Sequence, residues 1–219
     1  MKIIAINGSP RKNWNTDSLL RKALEGAASQ NAETEIVHLY DLKYKGCISC
    51  FACKIKDGSY TCALQDDLTS ILEKLKSADA IIFGSPIYFM NVTSGTSSFL
   101  ERFFFPYIKY SKETPSLFPK KLPTGFIYTM NITKEQLDES KINLNPYEMF
   151  IEMVLGEKPM LLYSYNTYQY SDYNKYESSM FDEKEKSKYR AEQFPLDCQT
   201  AFEMGKSLAK NAEMNKVNL

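Results

Sequence analysis

Three things are scarce in this 219-residue chain: net charge, long apolar runs and histidine. Lys plus Arg number 27 and so do Asp plus Glu, which argues against a nucleic-acid or anionic-membrane partner held by bulk electrostatics. No run approaches the roughly 18 apolar residues that span a bilayer. The N-terminal run Ile3 to Ile6 is too short for a signal-peptide core, so the expected location is the cytoplasm. The only histidine, His38, falls in a strand pattern expected to lie away from the strand-end loops. Cys47 and Cys50 thus have no imidazole to activate them, and no catalytic residue is predicted. Two nucleotide signatures are absent as well, G-x-x-x-x-G-K-[ST] and G-x-G-x-x-G, which disfavours a nucleoside triphosphate or NAD as the tightly held ligand. An anion site made by uncharged backbone amides stays open.

What is present is a repeating alternation of strand and helix patterns. Short apolar runs at Lys2 to Ile6, Glu35 to Leu39, Ala78 to Gly84, Leu122 to Met130 and Pro159 to Tyr165 read as five strands. Between them, helical spacing appears from Thr16 to about Ser29, after Asp66-Asp67, from about Thr93 to Phe104 and over 144–155. A last helix carries Cys198, Ala201, Phe202, Gly205, Leu208, Ala209 and Ala212 on one face, with Cys198 expected in the core. Such alternation implies an α/β fold with a parallel sheet, whose ligands sit at the carboxyl ends of the strands. Neither an internal repeat nor a linker divides the chain. One domain is expected over 1–219, with a cysteine-rich insertion at 44–65 and a tyrosine-rich segment and helix at 163–215.

Two of the expected strand-end loops have unusual sequences. In "NGSPRKNWNTDS", Ser9, Arg11, Asn15 and Thr16 surround the start of a helix, where unpaired N–H groups and the helix dipole favour an anion. The alternative is a plain turn capped by Asn15 or Thr16. In "GSPIYFMNVTSGTSS", Tyr88 and Phe89 offer stacking faces, and the small residues from Thr93 to Ser98 would let a flat ligand approach the backbone. Together the loops suit a planar heterocycle carrying a phosphate.

The run "CISCFACKIKDGSYTC" spaces Cys47, Cys50, Cys53 and Cys62 as C-x2-C-x2-C-x8-C, with a turn expected at Gly58-Ser59. Four thiolates form the usual ligand set of an iron–sulfur cluster or a structural zinc, and plain thiols or a disulfide are the alternatives. Asp66 and Asp67 are better read as helix caps than as metal ligands. Six tyrosines lie between Tyr163 and Tyr176, a composition suited to contact with another subunit near the bound ligand or to an aromatic surface loop folded on its own domain. The following "DEKEKSKYRAEQ" reads as a solvated helix or loop.

"NGSPRKNWNT", the cysteine run, "DDL" at 66–68 and "GSPIYF" at 84–89 resemble the NAD(P)H-dependent FMN reductase family of flavodoxin-like fold, most closely its iron–sulfur flavoprotein branch. The resemblance covers about residues 1–130. It implies a three-layer sandwich around a five-stranded parallel sheet of order 2-1-3-4-5, an FMN-dependent oxidoreductase activity, and a homodimer or homotetramer. NAD(P)H would be a transient donor, and electrons would pass to a small-molecule or redox-protein acceptor. Matched to the family, Ser9, Arg11, Asn15 and Thr16 would hold the FMN phosphate. Pro86, Ile87, Tyr88, Phe89 and Asn91 would line the flavin ring, and Thr129 and Met130 would supply a third loop. Cys47, Cys50, Cys53 and Cys62 would carry a [4Fe–4S] cluster, although the final gap is longer than in the family. Pairing a two-electron flavin with a one-electron cluster also suits an electron carrier between proteins. Trp14 departs from the family, which often has a small residue there, and is expected on the surface.

Overall fold

The structure is a computed structural model that describes residues 1–56, 58, 60–111, 116–141 and 143–217; Ser59 of the expected Gly58-Ser59 turn lies outside them. In chain order the elements are β1 (Lys2–Asn7), α1 (Asn15–Ala28), β2 (Glu33–His38), α2 (Asp67–Ser77), β3 (Ala80–Tyr88), β4 (Asn91–Val92), α3 (Ser94–Phe104), β5 (Thr124–Thr129), α4 (Lys134–Ser140), α5 (Asn145–Leu155), β6 (Met160–Ser164), α6 (Glu183–Glu192) and α7 (Phe194–Val217). The five long strands are parallel in the order β2-β1-β3-β5-β6. That is the expected order once β4, which pairs antiparallel with the end of β3, is counted.

Strand alternation sorts the core into two layers. Ile4 and Ile6 of β1, Ile81 and Phe83 of β3, and Phe126 and Tyr128 of β5 face α2, α3 and α5. Ile3, Ala5, Ile82 and Ile127 face α1 and α7. Each such fully buried aliphatic side chain contributes about 1.5–3 kcal/mol. The first layer is aromatic: Phe83 meets Phe126 at 5.7 Å, and Phe126 stacks on Tyr128 at 4.1 Å between ring centres.

Caps fix where helices begin. Asp66 accepts from the Leu68 amide and Thr69 bonds back to the Asp66 N–H, so Asp66 is the N-cap of α2. Thr93 caps α3 by accepting from the Thr96 amide at 3.2 Å. α4 and β4 escape the periodicity reading because they are short. α6 is almost entirely exposed, so it has no apolar stripe to detect. Cys198, expected in the core, is only partly buried at the edge of the α1–α7 layer. Among the described residues no helix is long and apolar enough to cross a membrane.

α1 and α7 pack closely through two glycines. A Cβ on Gly205 would stand 1.7 Å from the Ala23 carbonyl oxygen, and one on Gly26 would stand 1.9 Å from that of Phe202. Gly205→Ala is therefore expected to force the helices apart and to destabilise the protein by about 1–3 kcal/mol. Urea unfolding of the two proteins, compared at equal slope, reads the change.

Candidate functional site

The sheet order reverses between β1 and β3, and the loops leaving their carboxyl ends meet there. Gly8 N–H donates to the Gly84 carbonyl at 2.8 Å, and the Thr93 hydroxyl donates to the Gly8 carbonyl at 2.7 Å. A Cβ at residue 8 would stand 1.8 Å from Thr96 Oγ1, so the approach requires glycine. The small residues expected to admit a flat ligand thus have other work. Thr93 and Thr96 lock the two loops, and Gly95 packs beneath Tyr40 and Tyr44.

The first loop turns over a buried polar knot. Asp17 is fully buried and accepts from Asn7 Nδ2 at 3.0 Å, the Asn13 amide at 2.8 Å and Arg21 Nε at 2.9 Å. Burial alone would push its carboxyl up, but the Arg21 and Asn13 hydrogen bonds outweigh it and hold the group below its ordinary value. His38 is not remote from this end of the sheet. It pairs with Asn7 in register, and its Nδ1 lies 3.1 Å from Asn7 Nδ2. α1 starts with Trp14 at its N-cap and no side chain bonding its first amides. Neither Asn15 nor Thr16 is the cap, so the first-turn N–H groups are left for an anion.

Asn15 and Thr16 are committed elsewhere. Thr16 Oγ1 lies 2.7 Å from Thr129 Oγ1, tying the first loop to the end of β5. Asn15 Nδ2 and Trp14 Nε1 both donate to the Tyr168 carbonyl, at 2.9 and 3.1 Å, while Arg11 donates to the Gln169 carbonyl at 2.6 Å. The tyrosine-rich segment therefore folds onto its own chain, where it covers the first loop. Trp14 is not simply a surface residue: it fastens this segment and carries the Arg11 guanidinium 4.6 Å from its ring centre.

These loops line a pocket of about 270 Å3, just under the usual range of ligand sites of about 300–1,000 Å3. It brings together Ser9, Arg11, Asn15, Thr16, Pro86, Ile87, Tyr88, Thr129 and Met130. Phe89 and Asn91 stay outside it. Phe89 and Met90 form the tip of the β3–β4 hairpin with left-handed φ of 49° and 66°, which exposes Phe89 fully, and Asn91 accepts from the Tyr147 hydroxyl at 2.7 Å. Trp14, Asn131, Thr167, Gln169 and Tyr170 complete the wall. Of these, Asn131 Oδ1 and Gln169 Oε1 are buried acceptors with no partner among the described residues.

Three cations surround the pocket, and none pairs with a carboxylate among the described residues. Besides Arg11 there are Arg190, which donates to Asn15 Oδ1 at 2.9 Å, and buried Lys186, which donates to the Asn131 carbonyl and to Asn166 Oδ1 at 2.9 and 2.7 Å. A wider apolar depression of about 420 Å3 lies between α3, α5 and Cys47, but it lacks such a convergence of polar groups.

The family model for NADPH-dependent FMN reductase matches residues 1–121, which include the first two strand-end loops. The chain belongs to that family. An iron-sulfur flavoprotein of Methanocaldococcus jannaschii is 43% identical over 102 residues, covering 47% of this chain and 51% of the relative. The match thus spans about half the length of that relative. Among solved structures, an NAD(P)H:quinone oxidoreductase from Methanothermobacter marburgensis has a TM-score of 0.68 at 15% identity, covering 95% of this chain and 98% of its own. A flavodoxin from the Archaea has a TM-score of 0.54 at 15% identity, covering 97% and 99%. These two likenesses establish the flavodoxin-like fold. The family match ends before β5; of the pocket residues after 121, Thr129 and Met130 were expected from the sequence, whereas Asn131, Thr167, Gln169 and Tyr170 join the site only through the fold.

The four clustered cysteines sit apart, along α3. Tyr44 donates to the Gly95 carbonyl at 2.7 Å, the Cys47 amide donates to Glu101 at 3.0 Å, and Lys54 bonds the Phe105 and Ile108 carbonyls. All four cysteines are free thiols, so none forms the disulfide alternative, and all four line one small, nearly filled pocket of about 20 Å3. Among the described residues no three carboxylate, histidine or cysteine groups converge on a single point.

Lys186 gives the site a pH signature. Burial pulls its ammonium down from the ordinary 10.5 to about 8. Below about 8 both folded and unfolded chains hold the proton; between about 8 and 10.5 only the unfolded chain does. Stability from this residue therefore rises with pH across that window. Urea unfolding at a series of pH values is expected to show the rise, relative to Lys186→Met, in the wild type.

Proposed function

We propose that this protein is an FMN-dependent oxidoreductase of the cytoplasm, which takes reducing equivalents from NAD(P)H and passes them to an acceptor. The observation that carries this reading is one pocket joining an uncapped helix N-terminus to a flat apolar wall at the switch point of the sheet. The α1 amides, Ser9 and Arg11 suit the phosphate of FMN. Pro86, Ile87, Tyr88 and Met130 suit the faces of the ring, and the unpartnered Asn131 and Gln169 amides suit its polar edge. When bound, FMN supplies the hydride and single-electron chemistry. The chain then needs to bind and orient it, in keeping with the absence of a catalytic dyad.

A second reading, an electron carrier between proteins, is favoured by the cysteine pocket. Four soft thiolates around one apolar pocket fit an iron–sulfur cluster, whose ligands stand off a cube and need not meet at one point. The exposed Phe89 and Met90 at the hairpin tip support a homo-oligomer. The whole chain is read as one FMN-binding domain.

Two measurements test these readings. Titration with FMN and with riboflavin, which lacks the phosphate, is expected to give an Arg11→Ala variant about 10–100-fold weaker for FMN and little changed for riboflavin. An equal loss for both flavins would mean that Arg11 only fastens the covering segment. Anaerobic stopped-flow reduction should be rapid with NAD(P)H; rapid reduction by a ferredoxin-type donor alone selects the carrier.

A further inference from the structure

The cysteine pocket is lined by a buried cation that is paired on one side only. Arg102 of α3 is the largest fully buried side chain among the described residues. One guanidinium nitrogen, Nη1, donates to Asp66 and to the Lys45 carbonyl, and Nη2 donates to the Leu64 carbonyl at 3.2 Å. The third, Nε, is buried with no hydrogen-bond partner among the described residues. An N–H left unpaired in a protein interior is costly, and here it belongs to the residue that lines the pocket of the four cysteines and lies against Cys62. Apolar groups of Phe51, Leu64 and Phe105 form other parts of the wall. The one carboxylate lining the pocket among the described residues, Glu101, accepts from the Cys47 amide.

A cluster on four thiolates carries net negative charge, and the charge grows by one on reduction. Burying it in an apolar pocket requires a compensating donor. We propose that Arg102 is that donor: its Nε–H bonds the cluster-ligating sulfur of Cys62 and raises the reduction potential of the cluster. Arg102 is thus a positioning and tuning residue, held in place from the other side by the N-cap of α2. The inference rests on the cluster reading of the four cysteines and is independent of FMN.

The test uses anaerobically reconstituted protein, with iron and sulfide content, circular dichroism and an EPR-monitored redox titration. Arg102→Lys keeps the charge and loses Nε–H; Arg102→Gln loses both. With iron and sulfide retained, each variant is expected to show about a tenfold lower ratio of reduced to oxidised cluster at fixed potential, a shift of about 59 mV for one electron. An unchanged midpoint in a folded, fully loaded variant overturns the proposal. A measurement on the wild type needs no variant to fold: with 15N-arginine, pulsed EPR of the reduced cluster should detect hyperfine coupling to one arginine nitrogen. Absence of that coupling also overturns it. A wild type that takes up no iron and sulfide, while still showing a flavin spectrum with FMN, overturns this inference and leaves the FMN reading standing.

Discussion

Gly8 holds the first and second strand-end loops in contact, and the site depends on that contact. Its N–H reaches the Gly84 carbonyl while its own carbonyl takes the Thr93 hydroxyl, which also caps α3. The start of α3 is thereby fixed relative to the start of α1. The helix terminus that would bind a phosphate and the strand end that would face a ring then share one rigid edge. A side chain at residue 8 would break the contact, because Thr96 occupies the space it would need.

On this edge the protein adds a cover from its own C-terminal part. Tyr168 and Gln169 give up backbone carbonyls to Trp14, Asn15 and Arg11, while Lys186 and Arg190 of α6 pin the neighbouring loops. The covering segment therefore orients the donors on the first loop. Arg11 lines the pocket and Lys186 and Arg190 bond its lining residues, although the chain has no net charge. Binding of an anion here is a matter of local geometry, as uncapped amides and positioned guanidinium groups allow.

The sheet and its helices were legible because apolar periodicity is local: each long strand and most helices appear within a few residues of their observed bounds. The two loops were legible for the same reason, being unusual strings at strand ends. What escaped reading was held by distant partners. Trp14 looks like a surface residue until Tyr168 is brought to it, and Gln169 and Asn131 join the pocket only through the fold. Phe89 erred in the other direction, since an aromatic at a strand end turned outward when the hairpin tip adopted left-handed backbone. Arg102 carries no sequence signal at all, because a basic residue in a helix is ordinarily solvated.

Hydrogen exchange of the apo protein with and without FMN tests the location of the site most directly. The account predicts slowed exchange confined to amides of residues 8–18, 129–131 and 167–170, three segments that meet at the pocket. Unchanged exchange there, or protection centred on the apolar depression between α3 and α5, would contradict it.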